Sequence, residues 1–247
     1  MKYFLALFLI SSSVFSQAFK FKSIEGEIKI LPVFHSSLVI EVQNKTLFID
    51  PYGGIEKYTS FPNPDIVLIT HSHGDHLDMS TLSKINIGDA ILIAPVAVVN
   101  KIGELSFKNI INIGNDESIV YENIKIEAIP MYNFSTDVVR HKKGEGNGYI
   151  LNVDGLRIYI AGDTEGIPEM LDLKNIDIAF IPMNLPYTMD VNQAAKAVIA
   201  FKPKTVFPYH FRGANNIFSD VELFKKLVNE SDKSIDVIIA DWYPENK

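Results

Sequence analysis

The chain has 247 residues, 47% hydrophobic and 21% charged, which is enough apolar material for a sizeable core and too much for a disordered protein. Its formal charge of −7, from 30 acidic and 23 basic residues, lacks the basic footprint a phosphate backbone selects, so no nucleic-acid partner is expected. There is no cysteine, which removes disulfides, thiolate metal ligands and a cysteine nucleophile together.

The N-terminus reads as a cleavable leader over residues 1–16: Lys2 gives a positive start, Tyr3 to Ile10 is continuously apolar, and Ser11 to Ser16 ends on small or neutral residues. The apolar stretch is shorter than the ~20 residues that cross a bilayer, so export to the periplasm or medium is expected, without a stable membrane anchor. Residues 17–247 then form one domain, since nothing in them resembles a linker.

Strand patterns open that domain. Glu27–Pro32, Ser37–Val42 and Lys45–Asp50 alternate apolar and polar residues, and Gln43-Asn44 makes a tight turn between the second and third. Asp50-Pro51-Tyr52-Gly53-Gly54 breaks the sheet. Asp65-Ile66-Val67-Leu68-Ile69, with three β-branched residues in five, is a short buried strand. From Met79 to Val99 a helix, a strand around Ala90–Ile93 and a short helix after Pro95 alternate, as in a layered α/β protein. The second half continues with strands near Ile124–Ile129, Gly148–Val153, Leu156–Ala161 and Ile176–Ile181, then a helix over Val191–Ala200 that Asp190 and Gln193 start as a capping box. A strand at Lys204–Phe207, a helix at Val221–Glu230 and a strand at Ile235–Ala240 complete it. The sequence contains no internal repeat.

Directly after the strand at 65–69, Thr70-His71-Ser72-His73-Gly74-Asp75-His76 places three imidazoles and a carboxylate in six positions. Turns draw on Gly, Asn, Asp, Ser and Pro for backbone reasons, and histidine supplies none of them. Neutral imidazole nitrogens and carboxylate oxygens bind zinc, iron or manganese. His71 and His73, two apart, can face one metal while Asp75 and His76 reach a second.

This His-x-His-x-Asp-His run resembles the signature of the metallo-β-lactamase superfamily, and two further segments resemble its downstream motifs in the same order: Gly162-Asp163-Thr164 and Pro208-Tyr209-His210. The branch they resemble, with Tyr187-Thr188-Met189, is that of the L-ascorbate-6-phosphate lactonase-like and N-acyl-phosphatidylethanolamine phospholipase D-like enzymes. The resemblance implies an α/β fold, the four-layer αββα sandwich, and two divalent metal ions, zinc foremost, with manganese or iron as alternatives. It makes Asp163 the bridging ligand and His210 a ligand of the second metal.

The family pattern also asks for a third ligand on the first metal, usually a histidine before the Gly-Asp-Thr turn. Here that strand end reads Ile129-Pro130-Met131-Tyr132-Asn133. Three explanations stand open: the loop after it delivers His141, Asn133 supplies an oxygen, or water completes the shell. His35 reads as a core-edge histidine or as one near the metals, and Tyr187 and Met189 as packing or pocket residues.

The chemistry these residues imply is hydrolysis of a small-molecule ester, lactone, amide or phosphodiester. Paired metals lower the pKa of a shared water so that hydroxide attacks, Asp75 orients it, and His141 or Tyr187 donates to the developing oxyanion. The alternatives are a di-iron oxidoreductase with the same ligands and a non-catalytic binding protein with an incomplete site. Oligomeric state is left open by the sequence.

Overall fold

The structure is a computed structural model that describes residues 17–134 and 140–244; the expected leader at 1–16 lies outside the described residues. Fourteen strands form two seven-stranded sheets. In the first, β1 (Phe19–Lys22), β2 (Glu27–Phe34), β3 (Ser37–Val42) and β4 (Lys45–Ile49) run antiparallel, and β5 (Ile66–Leu68), β6 (Ile91–Ala94) and β7 (Asn109–Asn112) extend it in parallel. In the second, β8 (Ser118–Tyr121), β9 (Ile124–Pro130), β10 (Asn147–Val153) and β11 (Leu156–Ile160) are antiparallel, followed in parallel by β12 (Ile178–Pro182), β13 (Thr205–Tyr209) and β14 (Asp236–Val237). The two sheets therefore repeat one plan, four antiparallel strands and then three parallel ones, although the sequence shows no repeat.

The β3–β4 hairpin turns at Gln43 and Asn44 with φ of 48° and 62°, the left-handed pair that a two-residue turn needs. Every residue of β5, β6, β12 and β13 is buried, as in parallel strands covered on both faces. After the one-turn helices α1 (Met79–Leu82), α2 (Val96–Val99) and α3 (Pro168–Leu171), one cover is α4 (Val191–Phe201), started by the expected capping box: Gln193 N donates to Asp190 Oδ1 at 2.8 Å, and Gln193 Oε1 accepts from Asp190 N at 2.9 Å. Its inward face is Ala194, Ala195, Ala197, Val198 and Phe201, and it packs beside α5 (Val221–Ser231). The sheets share one core. Phe19 on β1 meets Phe207 on β13 edge-on at 5.1 Å, Phe207 stacks on Phe180 of β12 at 5.0 Å, and Trp242 closes over Phe180 and Tyr209. This is the four-layer αββα sandwich.

The elements that sequence pattern overlooks are edges. β1, β7 and β8 lie at the edges of their sheets, have four residues each and contain none that is fully buried, so each is too short and too exposed to stand out as a strand. The strand expected over Ile235–Ala240 contracts to Asp236–Val237, because only that short stretch pairs with β13.

Candidate metal centre

Parallel sheets present their connections at the C-terminal ends of strands, where ligands gather. Here the two sheets bring those ends together. The connection after β4 carries Asp50, that after β5 carries His71, His73, Asp75 and His76, that after β11 carries Asp163, that after β12 carries Asn184, and that after β13 carries His210. His35 sits in the β2–β3 turn and His141 in the β9–β10 connection. His35, Asp50 and His210 have φ of 61°, 44° and 46°, a left-handed conformation uncommon outside glycine, each just past a strand end. Strain of this kind costs about 1–3 kcal/mol per residue and persists where the surroundings demand it.

The side chains form two adjoining groups. In the first, His71 Nε2 and His141 Nε2 lie 3.1 and 3.2 Å from His73 Nδ1. In the second, His76 Nε2 and His210 Nε2 are 3.1 Å apart, and Asp75 Oδ2 is 3.6 Å from His210 Nε2. Asp163 stands between them. Its Oδ2 faces His141 Nε2 at 3.5 Å, and its Oδ1 faces His76 Nε2 and His210 Nε2 at 3.3 and 3.2 Å.

Partners behind the rings fix the tautomers. His76 Nδ1 donates to the fully buried Asp50 Oδ2 at 2.7 Å, and Asp50 also accepts from Thr70 N at 2.7 Å and Thr70 Oγ1 at 2.6 Å. His71 Nδ1 donates to that Thr70 hydroxyl at 3.1 Å. His141 Nδ1 donates to Asn133 Oδ1 at 2.9 Å. Each of these rings thus turns its Nε2 inward, the nitrogen free to bind an ion. His35 differs: Tyr243 OH donates to its Nδ1 at 2.8 Å, so its Nε2 carries the proton and donates to Asp75 Oδ2 at 3.3 Å. The structure places His35 as a support for Asp75.

The electrostatics suit cations. Burial pulls His141 down to about 4 and His35 to about 3, the latter with help from His210 beside it, and takes His71 well below its ordinary value; these rings are neutral at pH 7. Burial would lower His76 too, but Asp163, Asp50 and Asp75 outweigh it and raise the ring well above its usual range. Burial opposes ionisation of Asp163, yet His210 and His76 hold it well below the usual carboxylate range. Three carboxylates that hold a proton on His76 would hold a metal ion in its place. Asp163 Oδ1, buried without a hydrogen bond, is a further sign that the residues fit one.

Among the described residues, the donor atoms of His71, His73, Asp75, His76, Asp163, His210 and His141 fall within three overlapping close groups, His71–His73–His141, His71–His76–Asp163 and Asp75–His210 with His35. Asn133, one of the three explanations left open for the third ligand, has its side chain engaged by its neighbours. Its Oδ1 accepts from both Nδ1 and the backbone N of His141, and its Nδ2 donates to Tyr187 O at 3.0 Å, so it holds His141 instead. Tyr187 lines the adjoining cavity, about 630 Å³, with its ring under Arg140 at 5.2 Å. Sequence reasoning missed Asp50, Asn184, Arg212 and Tyr243. The only signal was Asp50-Pro51 at a strand end, which reads equally as a turn.

A two-sheet sandwich with imidazoles and carboxylates paired at its strand ends defines a metallo-β-lactamase-like class of protein. The chain belongs to the β-lactamase superfamily, whose domain model matches residues 29–210. A UPF0173 metal-dependent hydrolase of Pyrococcus abyssi is 34% identical over 219 residues, covering 84% of this chain and 95% of its own. A solved structure from Parabacteroides distasonis, provisionally described as a metal-dependent hydrolase, superposes with a TM-score of 0.80 at 41% identity over 92% of this chain and all of its own. Igni18, a metallo hydrolase from Ignicoccus hospitalis, gives a TM-score of 0.72 at 26% identity, covering 86% of this chain and 94% of its own.

Proposed function

We propose that this protein hydrolyses a small ester, lactone, amide or phosphodiester at a site built for two divalent metal ions, zinc foremost. A metal-dependent hydrolase is what its relatives are named, over most of the chain. The observation that carries the reading is Asp163, one buried carboxylate whose two oxygens face two different imidazole groups. His71, His73 and His141 would hold one ion, and Asp75, His76 and His210 the other, with Asp163 shared. Bound there, such ions acidify water and polarise a substrate oxygen.

The chain's own residues do the rest. Asp75, steadied by His35, turns its carboxylate toward the cavity, where it orients the attacking water and receives its proton. Tyr187, on the cavity wall, offers a hydroxyl to the oxygen that gains charge. Asn133 keeps Nε2 of His141 pointed inward. The leader-like residues 1–16 support export of the enzyme. Intact mass from the native host tests that; a mass that includes Met1 would refute it.

The experiment for the activity is metal analysis of protein purified without chelator, with turnover of chromogenic esters and phosphodiesters before and after chelation. Two divalent ions per chain, with turnover lost on chelation and restored by zinc, is the expected result. A chain without stoichiometric metal, or with turnover indifferent to chelator, would refute it.

A further inference from the structure

One charged side chain in the cavity wall is left unused by the hydrolytic machinery. Arg212 follows His210 by two positions and lines the cavity. Its guanidinium lies over two aromatic rings, 5.2 Å from the centroid of Phe34 and 5.0 Å from that of Tyr243. The two rings meet each other edge-on at 5.7 Å and are braced in turn, since Phe34 stacks on Tyr52 at 5.8 Å and Phe218 meets Tyr243 edge-on at 5.0 Å.

The backbone is held as firmly. Arg212 N donates to Tyr243 OH at 3.3 Å, Gly213 N to Ile217 O at 2.8 Å, and Ala214 N to Leu185 O at 3.0 Å. A Cβ on Gly213 would come within 2.2 Å of Leu185 O, so the loop sits flush against its neighbour. An arginine on a braced loop, seated against two rings, presents N–H groups whose fork matches a carboxylate or phosphate.

No carboxylate forms an ion pair with Arg212 among the described residues. Among the described residues, the acidic ones lining the cavity are Asp75 and Asp163, both committed to the histidine cluster, and a second arginine, Arg140, stands on the Tyr187 side. Two guanidinium groups in one cavity run against the balance of a chain of net charge −7. A half-buried cation held without a counter-charge is costly unless something supplies one.

We propose that the substrate carries an oxyanion, a carboxylate or a phosphate separate from the bond that is cleaved, and that Arg212 receives it. This rests on the hydrolase reading above and adds the class of substrate. The group would anchor in the fork of Arg212 while the scissile bond lies against the His/Asp cluster.

The test uses the metal-loaded enzyme and its Arg212→Met and Arg212→Lys variants. Turnover of 4-nitrophenyl hemisuccinate is compared with that of neutral 4-nitrophenyl butyrate, and calorimetry reads the binding of succinate and of inorganic phosphate. Losing a charged hydrogen-bond partner should lower the anionic-to-neutral ratio of kcat/KM in Arg212→Met by about 10–100-fold, and the affinity for at least one anion by a similar factor. Arg212→Lys, which keeps the charge and loses the fork, should fall between. The anion whose affinity drops separates a carboxylate substrate from a phosphate one. If the wild type cleaves neither ester, the hydrolase reading is in trouble, and loss of anion affinity in Arg212→Met still supports the anion site. Unchanged affinity for both anions in Arg212→Met overturns the proposal even where both esters are cleaved.

Discussion

In the first half of the molecule, the connection after β5 brings His71, His73, Asp75 and His76 to the site from six consecutive positions. The second half has the same strand plan, yet its connections deliver Asp163, Asn184 and His210 one at a time, from three different strand ends. The difference shows how one architecture can be used in two ways: one half as a cassette of donors, the other as a frame that supplies the bridging group. The halves also brace their donors differently. His71 and His76 rest on a buried Thr70–Asp50 network from their own sheet, whereas His141 is held by one amide, Asn133, at the end of β9.

The sharpest way to break this comparison is to remove the group that joins the halves. Asp163→Asn should empty both groups of metal and lower turnover by about 100-fold or more, since losing an outer-shell partner alone typically costs 10–100-fold; metal stoichiometry with kcat/KM is the measurement, and two retained ions would show that the halves bind independently. Next comes the cassette itself. His76→Ala should lose one ion and most activity, and wild-type stoichiometry with wild-type turnover would remove His76 from the ligand set. Smaller is the brace: Asp50→Asn should weaken metal affinity by about 10–100-fold and, because it unbalances a fully buried pair, lower the melting temperature. Competition with a fluorescent chelator reads the first effect and calorimetry the second.

The last pair compares the two kinds of support within one group. His141→Ala should reduce occupancy of a single ion, and Asn133→Ala should leave the ion in place but weaken it by about 10-fold, as for an outer-shell partner. Equal, full loading of both variants under chelator competition would take His141 out of the ligand set.

How much could be read in advance follows the same division. The cassette was legible because its donors are consecutive and histidine has no business in an ordinary turn. Asp163 and His210 were legible only through their order behind it, since a Gly-Asp-Thr turn and a lone histidine after a strand carry little chemistry by themselves. The delivery of His141 was left open because it depends on where a loop folds. Asn133 was left open because an amide beside a metal site can equally be ligand or brace, and its hydrogen bonds favour the brace. Asp50, Arg212 and Tyr243 gave no usable signal: each acts through a neighbour 20 or more positions away. Among the elements, buried strands and the capped α4 announce themselves, while the edge strands β1, β7 and β8 have at least half their residues facing water and are only four residues long.

The hydroxyl of Tyr243 bonds the ring of His35 across 208 positions of chain and also receives the backbone N–H of Arg212. In terms of synthesis, the segment that sets His35 is made after every histidine of the site. A growing chain that ends before Trp242 already holds all six histidines, but it lacks the carbonyl that receives His35 N and the phenol that orients its ring. Chains are built from the N-terminus, so the six histidines all precede the residues that fix the ring of His35.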